Sequence, residues 1–421
     1  MSGTCFMPEQ TRPVSSAATG PLHGVTVLDL SRILAGPTCT QLLGDLGAEV
    51  IKVERPGVGD DTRTWGPPFA AAPDGQPEQS AYYLAANRNK RSVTIDFSRP
   101  QGARLVKRLA AVSDVLIENF SLGILQRKGL GWDVLSASNP RLVYCSITGF
   151  GQNGPRAHER GYDAMVQAQG GIMSLTGEPD GAPQKVGVGA ADLMCGMYAC
   201  VAILAALRHR DATGQGQYID LALYDTQLAW LANAALDYFV TGRAPQRHGN
   251  AHAQIVPYDV FPTADGHIQL SCGNDVQFAR LAQLLGEPAW AQDPRYADNP
   301  ARVASRAELT RELQARFRTR NSETWLAELR KAGVPCGPVR TLDQVFADPQ
   351  TAARNMRIRM PSPFVKAGEL DMLGNPLQLS ASPVSYRRPP PGLGAHTDEV
   401  LEQLLGGDDP DVRAAREAGV L

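Results

Sequence analysis

The 421-residue chain has no CxxC pair among its seven cysteines, Cys5, Cys39, Cys145, Cys195, Cys200, Cys272 and Cys336. Their odd number and scattered spacing argue against a structural zinc site and fit a reducing compartment such as the cytoplasm. No surplus of charge points to nucleic acid or an anionic membrane, because 41 Lys and Arg face 43 Asp and Glu, a formal net charge of −2. The apolar run from Leu193 to Leu207 is shorter than the ~20 residues of a membrane span. Residues 1–21 lack a basic stretch followed by an apolar one, which argues against a secretory signal and leaves a disordered tail as the expectation. The first βα turn, "DLSRILAGP", has no GxGxxG, and GxxxxGK[ST], HExxH and GxSxG are missing, which weakens dinucleotide, nucleoside triphosphate, zincin and serine hydrolase readings. His248 and His252 are four residues apart but in a glycine-containing linker, so no metal is expected.

What is present is a rhythm of strands and helices. "VTVLDL" (25–30), "EVIKVE" (49–54), "SVTIDF" (92–97), "DVLIENF" (114–120) and "LVYCSITGFG" (142–151) are β-rich runs suited to strands buried on both faces. Helical stretches at 36–47 and 100–112 separate some of them, which predicts an α/β fold with a parallel sheet and helices on both faces. Residues 214–239 read as a strand followed by a long helix. Beyond a linker, "QIVPYDVF" and "HIQLSC" suggest a hairpin, and helices at about 275–286, 303–318 and 322–332 complete a smaller α+β domain. The expected division is a tail at 1–21, a large domain from 22 to 225, a linker helix at 226–250, a small domain at 251–335, and a return to the large domain at 336–421.

One carboxylate stands out. In "GVGAADLMCGMYACVAILAAL" (187–207) the only charged residue is Asp192, at the head of an apolar helix. Asp is a favoured N-cap, and a cap explains it fully. A nucleophilic carboxylate held at a helix N-terminus explains it as well. Cations also gather near predicted strand ends. Arg32 follows the first strand, Arg55 the second, and Arg127 and Lys128 the "ENF" strand, while Arg88, Lys90 and Arg91 crowd "ANRNKRS" and Arg160 precedes Gly161 and Tyr162. Each alone suits a solvated surface; together, at successive βα turns, they suit a polyanion such as coenzyme A.

These stretches resemble the family III CoA-transferases, the CaiB/BaiF family. The landmarks are "GVTVLDLSRILAGP", "GAEVIKVERPGVGDDTR", "NKRSVTIDF", "DVLIENF", "SITGFGQNGP", "GYDAMVQAQGGIMSLTG", the 187–207 helix, "TGQGQYIDLALYD" and "AGVPCGPV". The resemblance implies that Asp192 is a nucleophile in ping-pong transfer through an aspartyl anhydride and an aspartyl-CoA thioester. It implies CoA contacts at Leu34, Ala35, Arg55, Ile95, Ser98, Asn119, Phe120, Arg127, Arg160 and Tyr162, with CoA and acyl-CoA as substrates and no permanently bound cofactor. It also implies a large Rossmann-like domain with an inserted smaller one, in an interlocked homodimer.

Two departures narrow the substrate. Leu34 replaces the polar amide residue of the formyl-CoA:oxalate branch, and "SCGN" (271–274) replaces that branch's glycine run. The racemases that share the fold carry a histidine where "GYD" places Tyr162, which disfavours α-carbon racemisation. "GDDTRTWGPPF", "YCSITGFGQNGP" and "GNAHAQIVPYDVF" are most similar to the succinyl-CoA:glutarate branch. A dicarboxylate acceptor is therefore expected, with Arg32, Arg88, Arg247 and His252 as candidates for its distal charge. The alternatives are an α-methylacyl-CoA racemase-like isomerase, a transferase for a carnitine-type or other monocarboxylate, or a non-catalytic acyl-CoA-binding protein.

Overall fold

The structure is a computed structural model, and it describes residues 20–421. Nearly all of the expected tail therefore lies outside the described residues. The chain divides into two compact units.

The larger unit, residues up to 169 with 187–230 and 353–421, is built on six parallel strands. They are β1 (Thr26–Asp29), β2 (Glu49–Glu54), β3 (Lys90–Thr94), β4 (Val115–Glu118), β5 (Val143–Thr148) and β6 (Tyr218–Ala222). Their spatial order is β3-β2-β1-β4-β5-β6, the arrangement of a doubly wound sheet. Both faces of the sheet are covered, and the charged residues within its strands, among them Lys52, Lys90 and Arg91, are buried in ion pairs. Val27, Val50, Val115, Val143 and Cys145 pack on one face against α1 (Ala35–Asp45) and the long helix at Ala190–Thr213. Leu28, Ile51, Leu116 and Tyr144 pack on the other against α2 (Pro100–Ala111) and the C-terminal Val400 and Leu401. Adjacent residues of one strand thus serve opposite cores, as the period of two requires.

The smaller unit, residues 170–186 and 231–352, holds an antiparallel sheet of three strands with its own core of Phe261, Ile268, Leu270, Phe278, Leu313 and Trp325. The expected hairpin is β7 (Tyr258–Pro262) with β8 (His267–Ser271). The boundaries differ from expectation. Cys336–Pro338, expected to begin the return to the large domain, is the third strand β9, with Leu270 opposite Cys336 and Ile268 opposite Pro338. The chain re-enters the larger unit at Ala353. The smaller unit starts at Leu231 rather than 251, and it claims 170–186 as an excursion from inside the larger one.

Two helices also correct the sequence reading. With α3 at Asp163–Gln169, the apolar helix becomes α4 and spans 24 residues, Ala190–Thr213, long and apolar enough by composition to cross a membrane. Half of its most apolar window is buried, and Cys195, Ala199, Ile203 and Ala206 lie in the sheet core, so it is the core helix of this unit. The single long helix expected near 224–239 is two, α5 (Leu223–Ala229) and α6 (Ala232–Thr241), broken where Ala232 takes φ +43°.

Candidate active site

Strand order reverses between β1 and β4, and loops leaving their carboxyl ends frame a crevice there. The two loops are tied together. The Arg32 amide donates to Asn119 Oδ1 (3.0 Å), and Asn119 Nδ2 donates back to the Arg32 carbonyl (2.7 Å). The next residue, Ile33, sits at φ +73°. A β-branched residue there is strained by about 1–3 kcal/mol. Its amide is held by both oxygens of Asp60 (3.2 Å each), which is ion-paired with Lys52 (2.9 Å). Backbone contact brings a further loop in. A Cβ on Gly149, just past β5, would stand 2.6 Å from Gly161 Cα, and one on Gly161 would stand 2.4 Å from Gly149 Cα. Only glycine at both positions lets "RGYD" lie against the end of the sheet.

Asp192 is not the cap of its helix. Gly189 is the N-cap residue and makes no side-chain bond. The free amides of Ala191 and Asp192 donate instead to Asp163 Oδ1 (2.8 and 3.3 Å), and Gln167 Nε2 donates to Asp163 Oδ2 (2.7 Å). The cap therefore comes from 28 residues upstream, and Asp192 is free for other work in the first turn. It is 9% exposed. Burial, and next the neighbouring Asp163 carboxylate, push its carboxyl up to about 7.

Its carboxylate opens into a cavity of about 250 Å³. Leu34, Ala35, Asn119, Phe120, Arg160 and Tyr162, all expected as CoA contacts, line this cavity. A second cavity of about 290 Å³ shares the wall of Arg32, Phe120 and Ile124, and Arg55, Ile95 and Ser98 line it. The cation from the 127–128 pair on that wall is Lys128, not Arg127; neither cavity includes Arg127.

The four acceptor candidates separate. Arg32 lines both cavities and pairs with Asp61 at the surface (2.9 Å). Arg88 is removed as an anchor: it is buried, its Nε bonds Asp45 (2.9 Å) and its Nη1 the Leu373 carbonyl (2.8 Å). Its neighbours Lys90 and Arg91 are likewise buried against Asp29 and Glu49. Arg247 and His252 belong to the smaller unit. The Arg247 guanidinium donates to the carbonyls of Glu178, Pro179 and Gly181. His252 Nδ1 accepts the Gln254 amide (3.0 Å), which leaves Nε2 as the donor nitrogen of the neutral ring. Among the described residues no cluster of metal-ligating side chains occurs.

The comparisons with known proteins decide the family. The model for "CoA-transferase family III" matches residues 22–397. The chain belongs to CoA-transferase family III. It is 47% identical over 384 residues to a succinate–glutarate CoA-transferase of Agrobacterium fabrum, covering 91% of this chain and 96% of that one. It is 43% identical over 401 residues to the human succinyl-CoA:glutarate CoA-transferase, covering 95% and 90%. The crystal structure of a CaiB/BaiF family protein from Brucella suis superimposes with a TM-score of 0.82 at 49% identity, covering 92% of this chain and all of the other. A family III CoA-transferase takes CoA thioesters as substrates.

Asp163 and Asp60, which shape this region, were not among the residues expected from the sequence, whereas Lys128 was among the cations noted at the strand ends. Asp163 had a visible signal, since it ends "RGYD". Asp60 had none, because the strained residue it holds lies 27 positions away.

Proposed function

We propose that this transferase moves CoA from succinyl-CoA to a dicarboxylic acid, glutarate first among them, with Asp192 as the covalent carrier. The observation that supports it most is a buried carboxylate, without a cationic partner among the described residues, opening into a cavity beside a cation-bearing groove. The names of the relatives supply the acid pair.

The chemistry follows in balanced steps. An Asp192 oxygen attacks the thioester carbonyl of succinyl-CoA; the C–S bond breaks and CoA thiolate leaves a mixed anhydride. The thiolate attacks the aspartyl carbonyl of that anhydride, which forms aspartyl-CoA and releases succinate. Glutarate attacks the aspartyl thioester, and the returning thiolate then takes the glutaryl group and frees Asp192. No proton moves, and each intermediate is a reactive acyl group that water would destroy. Leu34, Ile147 and Leu223 supply the apolar part of the wall of the cavity that Asp192 lines. The pantetheine arm enters along Leu34, Ala35 and Phe120, and the phosphates lie toward Arg55, Ser98 and Lys128. Arg32 is the acceptor anchor within the larger unit.

The assembly we propose is an interlocked homodimer. Met197, Tyr198 and Val201 are exposed on α4, and Leu236, Phe239 and Val240 on α6, none of whose residues is buried. Apolar faces of that kind are covered in a working protein. Native mass spectrometry should show a dimer that persists on dilution. The six described cysteines are free thiols, which suits a cytoplasmic setting.

The test of function is a CoA-exchange series with succinyl-CoA as donor and acetate, oxalate, glutarate and adipate as acceptors. Glutarate should lead in catalytic efficiency by about tenfold or more over acetate, the worth of one charge-assisted bond to the distal carboxylate. Acetate or oxalate in the lead would refute the dicarboxylate assignment.

A further inference from the structure

We propose that Asp163 is a positioning residue for Asp192 with two tasks: it caps the helix that carries the nucleophile, and its charge makes the free Asp192 carboxylate less stable than the neutral aspartyl-CoA. The inference rests on the nucleophilic role of Asp192 proposed above.

The geometry carries the first task. Three N–H donors converge on the Asp163 carboxylate: the amides of Ala191 and Asp192 and the side chain of Gln167, itself fully buried. A Cβ on Gly189 would come within 2.9 Å of Leu34 Cδ2 and 3.8 Å of Asp163 Cγ, so the helix start, the cavity wall and the cap are packed as one piece. A residue 28 positions upstream thereby fixes the direction in which the first turn of α4 presents its carboxylate.

The second task follows from having two carboxylates at one helix start. The titratable and charged groups around Asp192 are Asp163 on α3, Tyr82, Cys195 one turn along α4, and Arg32, Arg160, His158 and Glu159 on the cavity walls. Apart from burial, Asp163 is the group that shifts Asp192, and it acts in the same direction as burial. Loading replaces the Asp192 carboxylate by an uncharged thioester, while the negative charge leaves with succinate. Both the desolvation and the like-charge repulsion are relieved at that moment. The site is therefore biased toward its covalent form, and Asp163 supplies part of the bias without touching the substrate.

The experiment compares wild type, Asp163→Asn and Asp163→Ser in the full-length protein. Asn retains an oxygen for the two backbone amides, and Ser retains a smaller acceptor if the Asn variant does not fold. Two quantities are read. One is the fraction of enzyme carrying CoA on Asp192, by intact mass, at fixed ratios of succinyl-CoA to succinate. The other is the pH dependence of single-turnover succinate release, which should rise through about pH 7 in wild type as Asp192 ionises. Removing the charge should lower the loading equilibrium about tenfold and move the acidic limb down by about one pH unit. A cap with no electrostatic part would slow release at every pH but move neither quantity, and that result would overturn the proposal. If wild type never carries CoA on Asp192, the nucleophile assignment fails instead, so the two failures are distinguishable.

Discussion

Among the buried acids of the larger unit, those near the ends of β1 and β2 and the one at the start of α4 are built on opposite plans. Around the ends of β1 and β2, each acid is matched. Asp29 meets Lys90 (3.3 Å) and accepts from Ser31 and Thr40, Asp60 meets Lys52 (2.9 Å), and Glu54 meets Arg63 (2.7 Å). At the start of α4, Asp192 faces another carboxylate. The first arrangement holds the Asp60 carboxyl down at about 2, because the Lys52 charge and hydrogen bonds outweigh its burial. The second leaves Asp192 at about 7. Among the matched acids Asp60 holds the strained Ile33 amide, whereas the mismatched one is the proposed nucleophile. The two carboxyls differ in what surrounds them, not in whether they are buried.

The sharpest way to break the comparison is to remove Asp192. Asp192→Ala should lower transfer by ~10⁴-fold or more, the scale for deleting a covalent nucleophile, with circular dichroism unchanged. Hydroxylamine added to the acylated wild type should yield a hydroxamate at 192, and none in the variant. Lys52→Met attacks the matched group. It leaves Asp60 unpaired and should cost about 3–5 kcal/mol of stability in denaturant titrations.

The reverse outcome is expected at Asp192. Its folded value lies above the ordinary 3.8, so the folded state holds its proton more tightly. Stability from this group is fully present below about pH 4 and is lost as pH rises through about 7. Asp192→Asn should therefore stabilise the protein at pH 8 by ~2–4 kcal/mol and flatten that stretch of the pH–stability curve. Asp60, with its folded value depressed, predicts the opposite sign: its contribution is present above about pH 4 and lost as pH falls toward about 2. The smallest expected effect is at the groove. Arg55→Ala should raise the KM for succinyl-CoA about tenfold with little change in kcat, and the difference should shrink in high salt.

Five of the six large-sheet strands were legible as uninterrupted β-rich runs, because a doubly covered strand has no polar face to disguise it. β3 was set two residues late, at 92 rather than 90. Lys90 and Arg91 look like loop residues until Asp29 and Glu49, 61 and 42 positions earlier, are seen to receive them. Arg88 misled in the same way, its partner Asp45 lying 43 residues off. Asp192 was legible as the one charge in an apolar helix. Its cap was not, since capping rules look one turn upstream and Asp163 reaches across 28 residues. The break at 230–232 also left no mark, because "LAWLANAALD" contains neither glycine nor proline.

The bonds from Asp163 to Ala191 and Asp192 have a further consequence for the excursion at 170–186. They join the stretch just before it to the stretch just after it, so the excursion is a loop pinned shut at its base. Closing a loop becomes only slowly more costly as residues are added. Changes of length within 170–186 are therefore expected to leave the start of α4 in place, because the two ends of the excursion are fastened to each other and not only to what lies between them.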